Sequence, residues 1–233
     1  MRKERALRIL RQSQTRSISM SQAGQDLWVY GEVFNEKEGG YFVDVGAHDG
    51  VRFSNTFLLE YRYNWDGICI EANRNTFKQL IQNRRTHCLN VCIDSIERVV
   101  KFAEASMGGG IIAVDCDNKE IGAGTAIDIS TQQLVTILRN LSAPKTIDYL
   151  TIDIEGAEDR ALLKFPFNEF KFNCVTIERP SLILRNLFAS KGYLLVREIP
   201  GLDCFYIHKD FLDTYFENVI SFYEKKFIFD RWS

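Results

Sequence analysis

The sequence predicts a single α/β domain whose sheet is mostly parallel and covered by helices on both faces. Apolar, strand-like runs alternate with helix-period segments along most of the 233 residues, and the chain is long enough for one full core. The first strand-like run, 41–45, ends in a loop with Gly46 and Gly50. Such alternation implies right-handed crossovers and ligand sites at the carboxyl ends of the strands.

The individual elements follow from periodicity and from residues that start or stop them. A first helix is predicted to open at Ser21 and to end before Gly39-Gly40. Strands are predicted at 41–45, 67–70, 88–93, 99–103, 147–154, 172–177, 193–199 and 204–207. Helices are predicted at 55–62, 73–84, 130–141, 157–165, 181–191 and 210–225, and Ser130 with Gln133 has the pattern of a capping box. Only Pro200-Gly201 and a few neighbours join the last two strands, so these should form an antiparallel hairpin.

Composition limits the classes of function. The net charge of −2 and pI near 6.0 give no general attraction to nucleic acid, so no nucleic-acid partner is expected. Six cysteines without a CxxC pair indicate reduced thiols in a cytoplasmic protein, rather than a disulfide framework, and zinc is disfavoured. No apolar run has the length of a membrane helix, and no signal-peptide core is present, so a soluble protein is expected.

The N-terminal segment differs from the rest of the chain. Residues 1–16 carry six arginine and lysine residues against a single acid, Glu4. We predict a basic lead-in helix or tail over 1–20 and one domain over 21–233. A solvated or loosely docked helix is the first interpretation of the basic segment. The alternative is a basic amphipathic helix that contacts anionic lipid or a partner.

The loop after the first strand carries acidic residues beside its glycines. Glycine lets the backbone approach a ligand closely, and pyrophosphate cofactors are usually met by neutral glycine loops. Asp44 and Asp49 instead place negative charge next to the loop. Negative charge suits a ligand with ammonium and sulfonium groups, so the sequence points to S-adenosylmethionine (SAM).

Two further strands end in carboxylates that fit a nucleoside. Glu71 ends the second strand about 20 residues after Gly50, the offset at which an acid commonly meets ribose hydroxyls. The alternative is an acid that only favours the N-terminus of the next helix. Asp94 ends the following strand and is predicted to accept from the adenine amino group, although Asp94-Ser95 is also an ordinary turn or cap.

A later strand supplies the predicted reaction centre. Asp153 and Glu155 lie two residues apart at its end, so their side chains share one face, and Gly156 permits a tight exit. Capping of the next helix and binding of a divalent ion are the alternatives. Glu178 adds an acid to the same edge, where an ion pair with Arg179 or a helix cap explains it almost as well.

Taken together and in order, these motifs resemble the FkbM-type SAM-dependent methyltransferases. The segments that carry the resemblance are 21–26 (SQAGQD), 43–50 (VDVGAHDG), 54–56 (SNT), 65–72 (WDGICIEA) and 152–156 (IDIEG). The resemblance implies a seven-stranded class I methyltransferase fold and O-methylation of a hydroxyl on a sugar, glycolipid or polyketide-like product. The cofactor-binding residues that it implies are Gln25, Asp26, Asp44, Gly46, His48, Gly50, Asn55, Glu71, Asp94 and Asp153.

For the reaction we expect in-line attack of a substrate oxygen on the sulfonium methyl group, with most of the rate supplied by positioning. The hydroxyl must also lose a proton, and His48, Asp153 and Glu155 are the candidate catalytic residues. Of these, Asp153 is preferred. No metal is assigned. The glycine-rich region 107–124 is predicted to be a mobile lid or substrate loop, with an exposed β connection as the alternative.

Rival functions are weighed against the same residues. An NAD-dependent oxidoreductase requires GxGxxG, which Gly46-Ala47-His48-Asp49-Gly50 does not match. A noncatalytic relative that keeps the fold as a protein-interaction scaffold is the main alternative, because fold alone does not establish activity. Methylation of protein or nucleic acid is supported only by the basic N-terminal segment. The sequence leaves the methyl acceptor and the oligomeric state open.

Overall fold

The computed structural model describes residues 19–105, 108–119 and 125–230, with side chains described as far as residue 225. The predicted N-terminal helix or tail therefore lies outside the described residues, except for its last two positions. Parts of the glycine-rich region, 106–107 and 120–124, also lie outside them.

A seven-stranded, mostly parallel sheet forms the centre of the molecule and confirms the predicted fold class. Its strands, in spatial order, are β3 (His87–Leu89), β2 (Asp66–Ile70), β1 (Tyr41–Val45), β7 (Thr146–Ile152), β8 (Lys171–Glu178), β10 (Asp203–His208) and β9 (Tyr193–Glu198). β10 runs antiparallel to both of its neighbours, so the predicted C-terminal hairpin is confirmed.

The register of the central strands determines where a ligand can bind. Val45 of β1 pairs with Ile70 of β2 on one side and with Ile152 of β7 on the other, and Ile152 pairs with Ile177 of β8. These four strands therefore end at the same level. Parallel strands that end together present their following loops along one edge of the sheet, as expected for a nucleotide-type fold.

A second, three-stranded sheet corrects part of the sequence prediction. It contains β4 (Cys92–Ile93), β5 (Val99–Glu104) and β6 (Thr125–Gln132), with β6 in the middle. The predicted strand 88–93 is in fact two strands in two sheets, β3 and β4. The predicted helix start at Ser130 is wrong, because Ser130 lies in β6 and pairs with Val99.

The capping box built on Ser130 is wrong for the same reason. Helix α4 begins only at Leu134, and Gln133 precedes it without a side-chain cap. The Gln133 side chain instead donates a hydrogen bond to the Ser95 carbonyl oxygen at 2.6 Å. β6 alternates exposed residues with the inward-facing Ile129 and Thr131 near its end, which is the two-residue period of a strand.

The helices flank the main sheet close to their predicted positions. They are α1 (Gln25–Leu27), which continues as a π-helix (Trp28–Val33), α2 (Phe57–Tyr63), α3 (Arg74–Asn83), α4 (Leu134–Asn140), α5 (Glu158–Leu162), α6 (Leu182–Ser190) and α7 (Leu212–Asp230). Asn73 caps α3 by accepting from the Asn75 amide at 2.9 Å, and Ser181 caps α6 by accepting from the Leu184 amide at 3.1 Å. None of the helices in the described ranges is long and apolar enough to cross a bilayer.

Buried apolar side chains cover both faces of the main sheet. On one face Ile70, Ile152 and Phe172 pack with α4, α5 and α6. On the other face Phe42 and Trp28 pack with α2 and the N-terminal helices, and the Trp28 and Phe205 rings meet edge to face at 5.0 Å. Two such layers hold the central strands rigidly, so the loops at their ends have fixed starting points.

Candidate active site

A cavity of about 270 Å³ opens at the edge where β1, β2, β7 and β8 end. Most of the sequence-predicted site residues line it. They are Gln25, Asp44, Gly46, His48, Asn55, Glu71, Asp153 and Glu155. Asp26, Gly50 and Asp94 were predicted to belong to the same site and are not part of this lining.

Asp44 is anchored from behind by a buried arginine. The Thr56 hydroxyl donates to the Asp44 carboxylate at 2.5 Å, and a terminal nitrogen of Arg84 lies 4.0 Å from it. The Arg84 side chain is itself fully buried and also binds the buried carboxylate of Glu60. Burial raises the pKa of Asp44, and the Arg84 charge opposes that rise. These hydrogen bonds and ion pairs within the protein thus hold Asp44 at the base of the cavity.

The glycines of the loop after β1 serve chain packing. Gly46 has φ of +92°, and a Cβ placed there would lie 1.8 Å from the Asp153 carbonyl oxygen. Gly46 thus lets β1 and the end of β7 approach each other. A Cβ at Gly50 would lie 2.7 Å from side-chain carbons of Arg84 and Leu80. The sequence predicted that both glycines bring bare backbone to a cofactor. For Gly50, packing against the buried Arg84 is a sufficient reason for the glycine.

Glu71 ties the loop after β1 to the end of β2. Its carboxylate accepts hydrogen bonds from the His48 amide at 2.8 Å and from the Asn73 amide at 2.7 Å. His48 has φ of +49°, a left-handed conformation that such a bond helps to hold. Burial raises the pKa of Glu71 despite these two bonds. Glu71 is buried and lines the cavity, so its carboxylate lies within reach of a ligand.

Asn55 presents an unsatisfied acceptor. Its Nδ2 donates to the Thr151 hydroxyl at 2.8 Å, and that hydroxyl also accepts from Thr176 at 3.0 Å. Thr176 is in turn bonded to the Tyr149 hydroxyl at 2.6 Å, so the Asn55 amide group is held in one orientation. The Asn55 Oδ1 atom is buried and has no hydrogen-bond partner among the residues that the structure describes. A buried acceptor left unpaired costs free energy, which a donor on a ligand would recover.

Carboxylates are concentrated on the β7–β8 side of the cavity. Asp153 follows β7 directly, Glu178 ends β8, and Asp203 begins the antiparallel β10 opposite Glu178. One carboxylate oxygen from each of Asp153, Glu158 and Glu178 lies within 4.8 Å of the others, and Asp117, Glu155 and Glu178 form a second such group. Close carboxylates disfavour one another's ionisation, so this side of the cavity favours positive charge.

The pKa values of these acids reflect that crowding. Asp153 is solvent-accessible, but it lines the cavity, whose walls displace much of the surrounding water. Desolvation and the neighbouring Glu178 carboxylate raise the pKa of Asp153 to about 9. Burial raises the pKa of Glu158 to about 7 and also raises the pKa of Asp203. Glu158 accepts from the Ile154 amide at 2.8 Å, which fixes the loop between Asp153 and α5.

The Arg179 guanidinium offsets part of this negative charge. Arg179 donates from one nitrogen to Asp117 at 2.6 Å, to Glu178 at 2.9 Å and to Glu155 at 3.4 Å. Burial followed by repulsion from Glu178 raises the pKa of Glu155, while Arg179 lowers it. The ion pair between Glu178 and Arg179 that the sequence left open is therefore present. Glu155 is turned toward that cation and has φ of +57°.

The carboxylates of Asp94 and Asp26 are bound by other residues of the protein. The Asp94 carboxylate binds Arg98 at 2.6 Å and Arg160 at 3.4 Å, and it is almost completely buried. The Asp26 carboxylate accepts from the hydroxyls of Ser19 at 2.5 Å and Ser21 at 2.8 Å. Asp94 thus has two cationic partners, and Asp26 has hydrogen-bond donors that are neutral. The neighbour of Asp94 in the lining is the apolar Ile93.

Comparison with known proteins adds the family. The model of the methyltransferase FkbM domain matches residues 44–195. The chain belongs to the FkbM methyltransferase family. The match runs from Asp44, at the base of the cavity, to β9, and it includes every strand end that lines the site except that of β10. The family resemblance inferred from the motifs is therefore confirmed, and the chain is a member of a methyltransferase family.

Solved structures that resemble this FkbM-family chain are distant in sequence. Methyltransferase FkbM from Methylobacillus flagellatus KT is 16% identical, with a TM-score of 0.49 over 78% of this chain and 48% of that one. This chain thus spans about half the length of that protein. A methyltransferase from Pyrococcus furiosus is 12% identical, with a TM-score of 0.37 over 74% and 76% of the two chains. Precorrin-6y C5,15-methyltransferase from Geobacter metallireducens GS-15 is 9% identical, with a TM-score of 0.40 over 82% and 90%.

No curated protein matches the chain.

The sequence analysis did not predict two acids that the structure places at the edge of the FkbM-family site. Asp203 was missed because it begins an antiparallel strand, and such a start lies beside the carboxyl ends of the parallel strands. Gln25 donates a hydrogen bond to Asp203, which joins the N-terminal helix to this side of the cavity. Glu158 was missed because it was expected only inside a helix, and the signal that could have found it is its position in the first turn after Gly156.

Proposed function

We propose that this chain is a SAM-dependent O-methyltransferase that acts on a hydroxyl group of a small molecule such as a sugar, glycolipid or polyketide-like product. Membership of the FkbM family supports methyl transfer. The observation that carries the cofactor assignment is the unpaired, buried Asn55 Oδ1 in a cavity lined by carboxylates. An acceptor without a donor, in an acidic cavity, calls for a ligand that brings both a donor and positive charge.

The residues present fit SAM by the chemistry of their side chains. Asn55 Oδ1 and the acids at this edge suit its ammonium group, and Asp44 adds negative charge at the base of the cavity. The Glu71 carboxylate is the acceptor proposed for the ribose hydroxyls. The predicted adenine contact from Asp94 is replaced in our proposal by apolar packing, because Asp94 is consumed by two ion pairs and Ile93 and Phe102 line the cavity.

When bound, SAM supplies a methyl group on a positively charged sulfur, which an oxygen nucleophile displaces. The contribution of the chain is positioning and proton transfer. We propose Asp153 as the base that accepts the proton of the acceptor hydroxyl, because its carboxyl group lines the cavity and its raised pKa lets it retain that proton. Glu155 and His48 remain candidate catalytic residues on the same lining. Glu155 is less suited, since Arg179 stabilises its negative charge.

We also propose the domain bounds and a cytoplasmic location. Residues 21–233 form the methyltransferase domain, preceded by the basic segment at 1–20. All six cysteines, which lie within the described ranges, are free thiols, and free thiols favour the reducing cytoplasm. A small-molecule acceptor requires no nucleic-acid groove, and weak membrane contact of the basic segment would serve a lipid-linked acceptor.

Thermal unfolding in the presence and absence of SAM tests the cofactor assignment. A ligand at a hundred times its dissociation constant stabilises the native state by about 2.7 kcal/mol, so the melting temperature should rise with SAM concentration. Asn55→Leu should reduce that rise, because it removes the unpaired acceptor, and Asn140→Ala, at an exposed helix end, should leave the rise unchanged.

Mass spectrometry of metabolites from cells with and without the protein then tests the reaction. We expect at least one hydroxylated metabolite to gain one methyl group only when the protein is present. Binding of SAM without any such product would support the noncatalytic scaffold. A melting temperature unaffected by millimolar SAM would reject the cofactor assignment itself.

A further inference from the structure

Asp153 and Glu178 are neighbours because of the sheet register. Ile152 of β7 pairs with Ile177 of β8, and Asp153 and Glu178 are the next residues along these parallel strands. Both side chains line the cavity, and their carboxylate oxygens come within 4.8 Å of each other and of Glu158. Because the two strands are packed on both faces, this approach is built into the fold.

We propose that Asp153 and Glu178 share one proton in the ligand-free protein and lose it when the positive charge of the SAM sulfonium enters the cavity, which prepares Asp153 to act as the base. The inference rests on the proposed function, and it gives Glu178 a positioning role that the sequence did not assign. Glu178 acts through Asp153, by setting when Asp153 carries a proton.

The charges around Asp153 favour one proton on the pair. The groups that face it are Glu178 on β8, Glu155 and Glu158 on its own connection to α5, Asp203 on β10, and Asp117 with Arg179 at the edge. Five of these six neighbours are carboxylates, and Arg179 is the one cation among the six. Arg179 contacts Glu178 at 2.9 Å, and desolvation together with the Glu178 carboxylate raises the pKa of Asp153, which favours a proton on Asp153.

A cation in the cavity reverses that preference. A nearby positive charge favours the ionised form of a carboxyl group, so the Asp153 O–H bond breaks and the proton passes to bulk water. During methyl transfer the acceptor oxygen forms a bond to the methyl carbon while the carbon–sulfur bond breaks. The acceptor O–H proton passes to Asp153. The departing thioether is neutral, the pair is again singly protonated, and each turnover releases one proton in total.

Isothermal titration calorimetry of the full chain tests this inference near pH 7. SAM and S-adenosylhomocysteine are titrated separately in phosphate and in Tris, two buffers with different ionisation enthalpies. The two ligands carry the same amino group and differ in the sulfonium charge. We expect SAM binding to release about one more proton than S-adenosylhomocysteine binding, and the SAM affinity to rise up to about tenfold per pH unit relative to that of S-adenosylhomocysteine.

Variants test whether the extra proton comes from the Asp153–Glu178 pair. Glu178→Gln and Asp153→Asn should each abolish the extra proton while the protein still binds SAM. Glu169→Gln, at a partly exposed acid that does not line the cavity, should retain it. The comparison of the two ligands on the unaltered protein needs no variant, so it stands even where a variant fails to fold.

Three outcomes would overturn the inference. Equal proton release with both ligands would show that the pair does not respond to the sulfonium charge. Extra release that persists in Glu178→Gln would place the proton elsewhere. Release that requires added Mg²⁺ and disappears with a chelator would mean that these acids bind a cation instead. If SAM does not bind at all, the proposed function fails, whereas binding without a difference in protons removes only this inference.

Discussion

Replacing Arg84 with methionine should destabilise the protein strongly, because Arg84 is a fully buried guanidinium that contacts the buried acids behind the β1 loop. Its side chain is fully buried and binds the buried Glu60 carboxylate. It also donates to the Thr56 hydroxyl at 2.9 Å, and one nitrogen lies 4.0 Å from Asp44. Methionine has similar length without charge, so the change leaves two buried carboxylates without that partner.

The size of the effect follows from burial. Removing one partner of a buried ion pair costs about 3–5 kcal/mol, since the remaining charge stays desolvated. For a domain of this length, about 2–4 °C of melting temperature corresponds to each kcal/mol, so we expect a decrease of about 6–20 °C. Urea unfolding followed by circular dichroism gives the free energy of unfolding, and differential scanning calorimetry gives the melting temperature.

The pH dependence provides a second measurement with a definite sign. Burial already raises the pKa of Asp44, and loss of the Arg84 charge raises it further. A carboxyl group whose pKa is higher in the folded state contributes stability that is lost as pH rises from its unfolded pKa to its folded pKa. The stability difference between Arg84→Met and the unaltered protein should therefore be larger at pH 8 than at pH 5.

The neighbouring arginine provides the control. The Arg85 side chain is 55% exposed and lies 3.5 Å from the same Glu60 carboxylate. Exposed ion pairs contribute about 0–1 kcal/mol, so Arg85→Met should have a small effect. Equal losses in the two variants, or a loss in Arg84→Met that does not change with pH, would refute the reasoning.

Two further predictions concern the end of β7. Gly46→Ala should prevent stable folding, because its Cβ would lie 1.8 Å from the Asp153 carbonyl oxygen, whereas Gly201→Ala, which has no atom within 4 Å of the added Cβ, should cost only the strain of its positive φ. Soluble yield and melting temperature distinguish the two, and a folded Gly46→Ala would contradict the close approach. Asp153→Asn should melt higher than the unaltered protein at pH 8 and approach it at pH 4, because the raised pKa of Asp153 makes its ionisation cost stability as pH rises. A difference that does not depend on pH would show that Asp153 titrates normally.

The main sheet was predictable from sequence because its strands are buried on both faces and therefore form apolar runs. β7 and β8 are examples, and both were predicted close to their observed bounds. The small sheet was not predictable in the same way. Residues 88–93 form one apolar run, and only tertiary pairing places β3 beside β2 and β4 beside β6. Ser130 has the composition of a helix cap, but pairing with β5 makes it part of a strand.

The site was predictable where function depends on the end of a parallel strand. Glu71 and Asp153 follow such strands, and both line the cavity. Prediction failed where a charge is satisfied by residues distant in sequence. Asp94 has the same strand-end position, but Arg160, 66 residues away, binds it. Asp203 lies at the start of an antiparallel strand. The sequence prediction considered only residues at the carboxyl ends of parallel strands and therefore missed it.

The most direct test of SAM binding in this cavity is the dissociation constant of SAM. Calorimetry measures it for the unaltered protein and for two variants. Glu71→Gln should weaken binding by about tenfold or more, because a hydrogen bond to a charged group contributes about 1.5–3 kcal/mol. Glu169→Gln, an acid remote from the cavity lining, should bind as the unaltered protein does. We expect one SAM per chain, with this order of affinities. Absence of SAM binding, or equal affinity in all three proteins, would contradict the assignment of this cavity.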